Sequence, residues 1–121
     1  MSIYNLENFG PTNFRILTNA VDEISDELVF YIDQTTSRIT DDGYMFNEFE
    51  LLSSKMSIKK REELCTSFAH FYFCEFDKET KEIYFKIDKN TELDDVVIQL
   101  IQVCTAISTI INYERFGKSD D

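Results

Sequence analysis

The sequence predicts an α+β fold in one compact domain, with helices packed on an antiparallel sheet. The chain has 121 residues, 43% of them hydrophobic, which is enough for a single core. Only three glycines and one proline interrupt it, so most residues should belong to regular elements. Helical and strand patterns follow one another in the order α-β-β-α-α-β-β-α, which favours an antiparallel sheet.

The first predicted element is an amphipathic helix that follows a lead-in over residues 1–11. Apolar residues recur at spacings of three and four, which places them on one helical face: Phe14, Leu17, Val21, Ile24 and Leu28. The other side is acidic toward its C-terminal end and carries Asp22, Glu23, Asp26 and Glu27. Carboxylates there oppose the helix dipole, so the cluster favours a binding role over a stabilising one.

Two strands and a turn follow this predicted helix. Residues 28–32 are β-branched and aromatic, as is typical of a strand, and a short second strand is predicted over 37–40. Asp42-Gly43 predicts a turn because glycine accepts a positive φ. Tyr44 and Met45 are expected to extend the sheet, before a short helix over 47–53.

The second half predicts two further helices around a hairpin. Ser57 is a suitable N-cap for a helix through Ala69, and residues 71–77 and 82–88 form the two arms of the hairpin. Thr91 and Asp94 match a capping box for a final helix over 92–113.

The final helix is unusually apolar. Eleven of the sixteen residues from Val96 to Ile111 are apolar, more than one core-facing stripe requires. Such a helix is either central to the fold or also packs against a second subunit, and we expect a homodimer formed through it. Residues 114–121 are predicted to be a charged tail.

The formal net charge is −11, and most of it lies in the first 50 residues. Ten carboxylates there face only Arg15 and Arg38, a balance of −8. Such a field repels nucleic acid and anionic membranes and attracts basic surfaces. The charge therefore predicts a basic protein partner, without direct contact to nucleic acid or membrane, although plain solubility is the simpler explanation of the charge.

Cysteine use and the N-terminus predict a cytoplasmic, soluble protein. Cys65, Cys74 and Cys104 lack the Cys-x-x-Cys spacing of zinc or redox motifs and lie among apolar neighbours. The N-terminus has neither the basic nor the hydrophobic region of a signal peptide. The window 96–111 is shorter than the ~20 residues that span a bilayer.

Few residues suggest catalysis. Asp41 and Asp42 beside Glu48 and Glu50 offer hard oxygen ligands for magnesium or calcium, but adjacent aspartates before glycine are ordinary turn residues. His70, the only histidine, is expected to be packed and hydrogen-bonded rather than catalytic. No phosphate-binding loop, serine elbow or dinucleotide fingerprint is present. We therefore predict a protein that is not an enzyme, without metal or cofactor.

One stretch resembles a known family. Ile39-Thr-Asp-Asp-Gly-Tyr44, Phe49-Glu-Leu51 and Lys60-Arg61 are similar to small bacterial and phage domains of unknown function that share an Ile-Ser/Thr-Asp-Asp-Gly-Tyr turn. The resemblance covers residues 28–110 and implies no activity, but it favours roles in phages or mobile elements. The aromatic run 71–76 departs from the family pattern. The element order also resembles type III secretion chaperones at the level of fold.

The leading functional hypothesis is a non-enzymatic acidic module, encoded by a phage or mobile element, that inhibits a basic, nucleic-acid-binding host defence protein. Its predicted partner-binding residues are Asp22, Glu23, Asp26, Glu27, Asp41, Asp42, Glu48 and Glu50. Two alternatives stay open. One is a chaperone-like dimer that holds a partner polypeptide, and the other is a metal-dependent enzyme that uses Asp41 and Asp42.

Overall fold

The computed structural model describes residues 4–22, 26–53 and 55–117, and it confirms the α+β class with an antiparallel sheet. The described residues form six strands and three α-helices. In chain order these are β1 (Tyr4–Asn8), β2 (Asn13–Val21), β3 (Glu27–Asp33), β4 (Arg38–Thr40), α1 (Tyr44–Leu52), α2 (Ile58–Phe71), β5 (Glu75–Asp77), β6 (Glu82–Lys86) and α3 (Leu93–Asn112). A π-helical turn, Tyr113–Gly117, follows α3.

The strands are arranged in the order β1-β2-β3-β4-β6-β5, and each neighbouring pair is antiparallel. Alternate residues point to opposite faces of the sheet. Ile16, Phe30, Ile39 and Ile83 are fully or almost fully buried on one face, where they form the core together with the three helices. The other face carries the alternate residues, among them Val29 and Tyr31 of β3.

The predicted first helix is wrong. The described part of that segment is strand β2, which pairs with β1 on one side and β3 on the other. The same residues also alternate with a period of two, and Ile16 and Thr18 are buried whereas Val21 is exposed. A strand between two neighbours has its backbone hydrogen bonds satisfied on both edges and packs its side chains against theirs, so pairing decides the conformation. The expected lead-in, 1–11, contains the partner strand β1, and from β3 onward the predicted order holds.

Two helix starts also differ from expectation. Tyr44 and Met45 begin α1 instead of extending the sheet. The capping box is not formed, because α3 begins after Glu92 and the Thr91 hydroxyl accepts a hydrogen bond from the Asp88 N–H, at 2.8 Å. In contrast, Ser57 caps α2 as predicted and accepts from the N–H of Lys60 at 3.1 Å.

Helix α3 lies in the centre of the core, which explains its wide apolar surface. Its buried residues are Val96, Val97, Leu100, Val103, Cys104, Ile107, Ser108 and Ile111. Its exposed strip is mostly polar and includes Gln102, Thr105 and Thr109. By length and composition, the span Leu93–Phe116 would also pass as a membrane helix, a test that core helices of soluble proteins pass too. The predicted homodimer through α3 stays a prediction.

All three cysteines are buried and free, as the apolar surroundings in the sequence indicated. Burial raises the pKa of Cys65 and of Cys74 to about 12. Thiols with so high a pKa are not thiolates at neutral pH and behave as small apolar side chains.

Candidate functional site

A groove of about 650 Å³ borders the turn formed by Asp41, Asp42 and Gly43. Strand β3, helix α1, the start of α2 and the β5–β6 turn complete its walls. Its apolar and aromatic lining consists of Val29, Tyr31, Tyr44, Phe46 and Ile58. Besides the turn, its polar lining consists of Asn47, Glu50, Thr80 and Lys81. A volume of this size is typical of ligand and peptide-anchor pockets.

Asp41 shapes this groove from within the fold. Its Oδ1 accepts hydrogen bonds from the N–H groups of Gly43, at 2.9 Å, and Ile83, at 3.0 Å, while Oδ2 accepts from Met45 at 2.9 Å. One carboxylate therefore ties the turn to β6 and to the first turn of α1. Burial raises the pKa of Asp41 to about 6, although the three N–H donors act in the opposite direction. Asp41 is buried, so its role is to hold the turn together.

Gly43 lets the turn lie close to the β5–β6 hairpin. Its φ of 80° is in the left-handed region, which favours glycine. A Cβ atom at this position would lie 3.6 Å from the carbonyl oxygen of Thr80, which is an ordinary contact. The backbone angle, not a lack of space, therefore requires glycine here.

Asp42 and Glu50 present exposed carboxylates to the groove. The N–H of Asp42 donates to the Thr40 hydroxyl at 2.9 Å, which orients the residue. No described residue forms an ion pair with either carboxylate. Lys81 also borders the groove, but its Nζ donates to Glu62 at 2.6 Å and to the carbonyl oxygen of Lys78 at 2.7 Å. The groove is therefore acidic.

The structure brings three further predicted site residues to Tyr44, at one side of this groove. The Tyr44 hydroxyl donates to Asp22 Oδ2, and Asp22 Oδ1 accepts from the N–H of Asp26 at 2.9 Å. Burial, the hydrogen bond to Asp22 and the charges of Asp22, Glu48 and Asp26 all raise the pKa of Tyr44. Tyr44 thus joins the β2–β3 connection to α1 and collects carboxylates that are distant in sequence.

Four other predicted site residues, Asp22, Asp26, Glu27 and Glu48, do not line the groove. Asp22 and Glu48 are buried, and Glu27 is exposed at the start of β3. Glu23 lies outside the described residues. Residue type alone could not separate buried carboxylates from exposed ones, because all eight belong to the same acidic half of the sequence.

The sequence reasoning missed the aromatic side of the site. Val29 and Tyr31 alternate with the buried Leu28 and Phe30, so the strand pattern already indicated that Tyr31 points away from the core. No local signal indicated that the turn carrying Lys81 would meet α1. That contact depends on β6 pairing with β4.

The sequence also raised a metal site and His70 as candidates for chemistry. The described ranges contain no group of three or more His, Cys, Asp or Glu side chains arranged to hold a metal ion. His70 is hydrogen-bonded, to Glu75 at 3.1 Å, but its ring is exposed at the end of α2 rather than packed. It lies outside the groove lining.

Comparison with known proteins places the chain in a family. Residues 18–107 match the model of the domain of unknown function DUF1828, so the match covers well over half of the chain and includes the turn and the groove. No curated protein and no solved structure gave a significant match. The chain therefore belongs to the DUF1828 family, whose description assigns no activity.

Proposed function

We propose that this domain is a non-enzymatic, cytoplasmic protein-binding module whose acidic groove takes a basic segment of its partner. The observation that carries the proposal is the pairing of two unneutralised carboxylates, Asp42 and Glu50, with an aromatic wall in one groove. The groove's own cation, Lys81, is already bound to Glu62. A complementary ligand is therefore cationic.

Arginine and lysine side chains match this combination of groups. Each has an apolar stem that packs on aromatic surface and a charged head that binds carboxylates. Guanidinium groups also stack on the faces of tyrosine rings, and Tyr31 and Tyr44 both line the groove. The volume of about 650 Å³ exceeds one side chain, so a segment with two or more basic residues fits better than a single cation.

A basic nucleic-acid-binding protein is the partner class that we favour. Its cationic surface is built to bind phosphates, and the carboxylates of the groove would take their place. The net charge of −11 speeds the encounter with such a surface. Occupation of that surface would inhibit nucleic-acid binding by the partner, which is the activity expected of an inhibitor of a host defence protein.

Fluorescence anisotropy with a labelled arginine-rich peptide tests the proposal. The groove variant Asp42→Asn/Glu50→Gln should bind about 10-fold more weakly than the unchanged protein. Glu63→Gln/Glu92→Gln is the matched control, since it removes two exposed carboxylates that do not line the groove. Its affinity should fall less than about 3-fold, because distant exposed charges are screened by salt. Equal losses in both variants would show that only net charge matters and would end the proposal.

A chaperone-like role is the second candidate, and one observation favours it. Phe71 and Phe73 are 73% and 75% exposed, at the end of α2. Exposed aromatic pairs often contact a partner. If this surface holds the partner polypeptide, Phe71→Ser should abolish binding of an extended apolar peptide in the same assay and leave binding of the arginine-rich peptide unchanged. Retained binding of the apolar peptide would exclude this surface.

A further inference from the structure

Strand β4 is shorter than its neighbour β3 and leaves part of that strand's edge unpaired within the described sheet. β3 spans Glu27–Asp33, but β4 pairs only with its last three residues, Tyr31–Asp33. The rest of β3, residues 27–30, has a neighbour only on its other side, where it pairs with β2. An unpaired strand edge carries N–H and C=O groups to which a further strand can bond.

The backbone of Val29 faces this open edge. The carbonyl oxygen of Leu28 accepts a hydrogen bond from the Thr18 hydroxyl of β2 at 2.7 Å, so Leu28 faces β2. Successive residues of a strand direct their N–H and C=O groups to opposite edges, so those of Val29 point away from β2. No backbone group of the described residues bonds to Val29 on that side. Val29 therefore offers one donor and one acceptor to another backbone.

Asp42 explains why β4 does not continue beside Val29. In the register of β3 and β4, Thr40 lies opposite Tyr31. Two residues further along, Asp42 would lie opposite Val29. However, the φ of Asp42 is 58°, far from that of a strand, and its N–H donates to the Thr40 hydroxyl at 2.9 Å. The chain therefore leaves the sheet at Asp42, and β4 does not fill the position beside Val29.

The open edge lies in the acidic groove. Val29 and Tyr31 of β3 line this groove, and so do Asp42 and Gly43, at which the chain leaves β4. Val29 is only partly buried. The carboxylates of Asp42 and Glu50 face the same groove. A segment that lies along β3 there meets an unpaired backbone and two negative charges together.

We propose that the basic segment binds in an extended conformation, as a strand added to β3 at Val29. This inference rests on the proposed function, since it assigns the conformation of the basic segment in the same groove. Backbone hydrogen bonds to Val29 give affinity, and side chains of alternate residues reach the same wall. The ligand is therefore a segment with arginine or lysine at every second position. A basic helix does not fit, because its backbone groups are already bonded within the helix.

Backbone N-methylation of a labelled peptide tests this mode of binding by fluorescence anisotropy. The peptide alternates arginine and threonine, and its two derivatives carry N-methyl groups on either the arginine or the threonine amides. When the arginines face the carboxylates, only one of these two sets of amides faces β3. One derivative should therefore bind about 10-fold more weakly than the unmodified peptide, and the other within about 3-fold of it. Equal affinity of the two derivatives, whether strong or weak, would overturn the added strand.

The proposed function is tested separately with the unmodified peptide. The Asp42→Asn/Glu50→Gln variant should lose affinity for it whatever conformation the peptide adopts. If this variant loses no more affinity than Glu63→Gln/Glu92→Gln, the proposed function and the added strand both fail. If it does lose affinity but the two methylated derivatives bind equally, only the added strand fails.

Hydrogen exchange of the unchanged protein, followed by NMR, gives a second readout. Without peptide, the amide of Val29 should exchange faster than that of Phe30, which pairs with Ile16 of β2. Saturating unmodified peptide should slow exchange at Val29 by about 10-fold. It should leave Lys89 unchanged, an exposed residue that does not line the groove. A Val29 amide that is protected without peptide, or that exchanges as fast with peptide as without it, would refute the proposal.

Discussion

Asp41→Asn tests the role of the buried carboxylate that holds the turn. The amide keeps one carbonyl oxygen, which still accepts from Gly43 and Ile83, but its NH₂ group then faces the N–H of Met45. More importantly, the variant removes a group whose pKa changes on folding. Burial raises the pKa of Asp41 from 3.8 to about 6 in the folded protein.

The sign of the pH effect follows from this shift. A raised pKa means that the folded protein binds a proton that the unfolded chain releases between pH 3.8 and 6. Asp41 therefore stabilises the fold fully below pH 3.8 and loses this contribution as the pH rises through 6. The shift corresponds to about 3 kcal/mol in total, of which about 2 kcal/mol lies between pH 4.5 and 7.

Urea denaturation followed by circular dichroism measures this effect at several pH values for both proteins. The free energy of unfolding of the unchanged protein, minus that of Asp41→Asn, should fall by about 2 kcal/mol from pH 4.5 to 7. The subtraction cancels the titration of other groups, which both proteins share. A difference that is constant or rises with pH would refute the reasoning, since it would mean that the three N–H donors outweigh burial and keep Asp41 ionised.

Two further predictions concern residues whose backbone φ is positive, and both use the same denaturation assay. Phe73 follows the end of α2 at the position where glycine is usual, and its φ is 66°. The N–H of the next residue, Cys74, donates to the carbonyl oxygen of Ala69 at 2.7 Å, as is typical of this kind of helix end. Phe73→Gly should therefore raise the free energy of unfolding by about 0.5–1 kcal/mol, and a loss of stability would show that the exposed ring contributes to packing. Gly43→Ala should lower it by about 1–2 kcal/mol through its positive φ alone, so a neutral result would contradict the assigned turn geometry.

Much of the candidate site was predictable from local sequence. The Asp41-Asp42-Gly43 turn was expected from its residue types, because side-chain bonds to nearby N–H groups and a positive φ at glycine are local effects. The helix after Ser57 was expected for the same reason. The sequence did not indicate which carboxylates are accessible to a ligand. Asp41, for example, is buried because it contacts β6, which lies more than forty residues later in the chain.

The sequence by itself determined the α+β class, the order of the elements from β3 onward and the acidic character of the first half. These properties follow from periodicity, turn chemistry and composition, which act over a few residues. Only the tertiary structure decided that residues 13–21 form a strand, because that choice depends on pairing with both β1 and β3. It also decided that Arg61 is buried while Asp42 and Glu50 face a groove, since burial depends on how separate elements pack and not on the residues of one element.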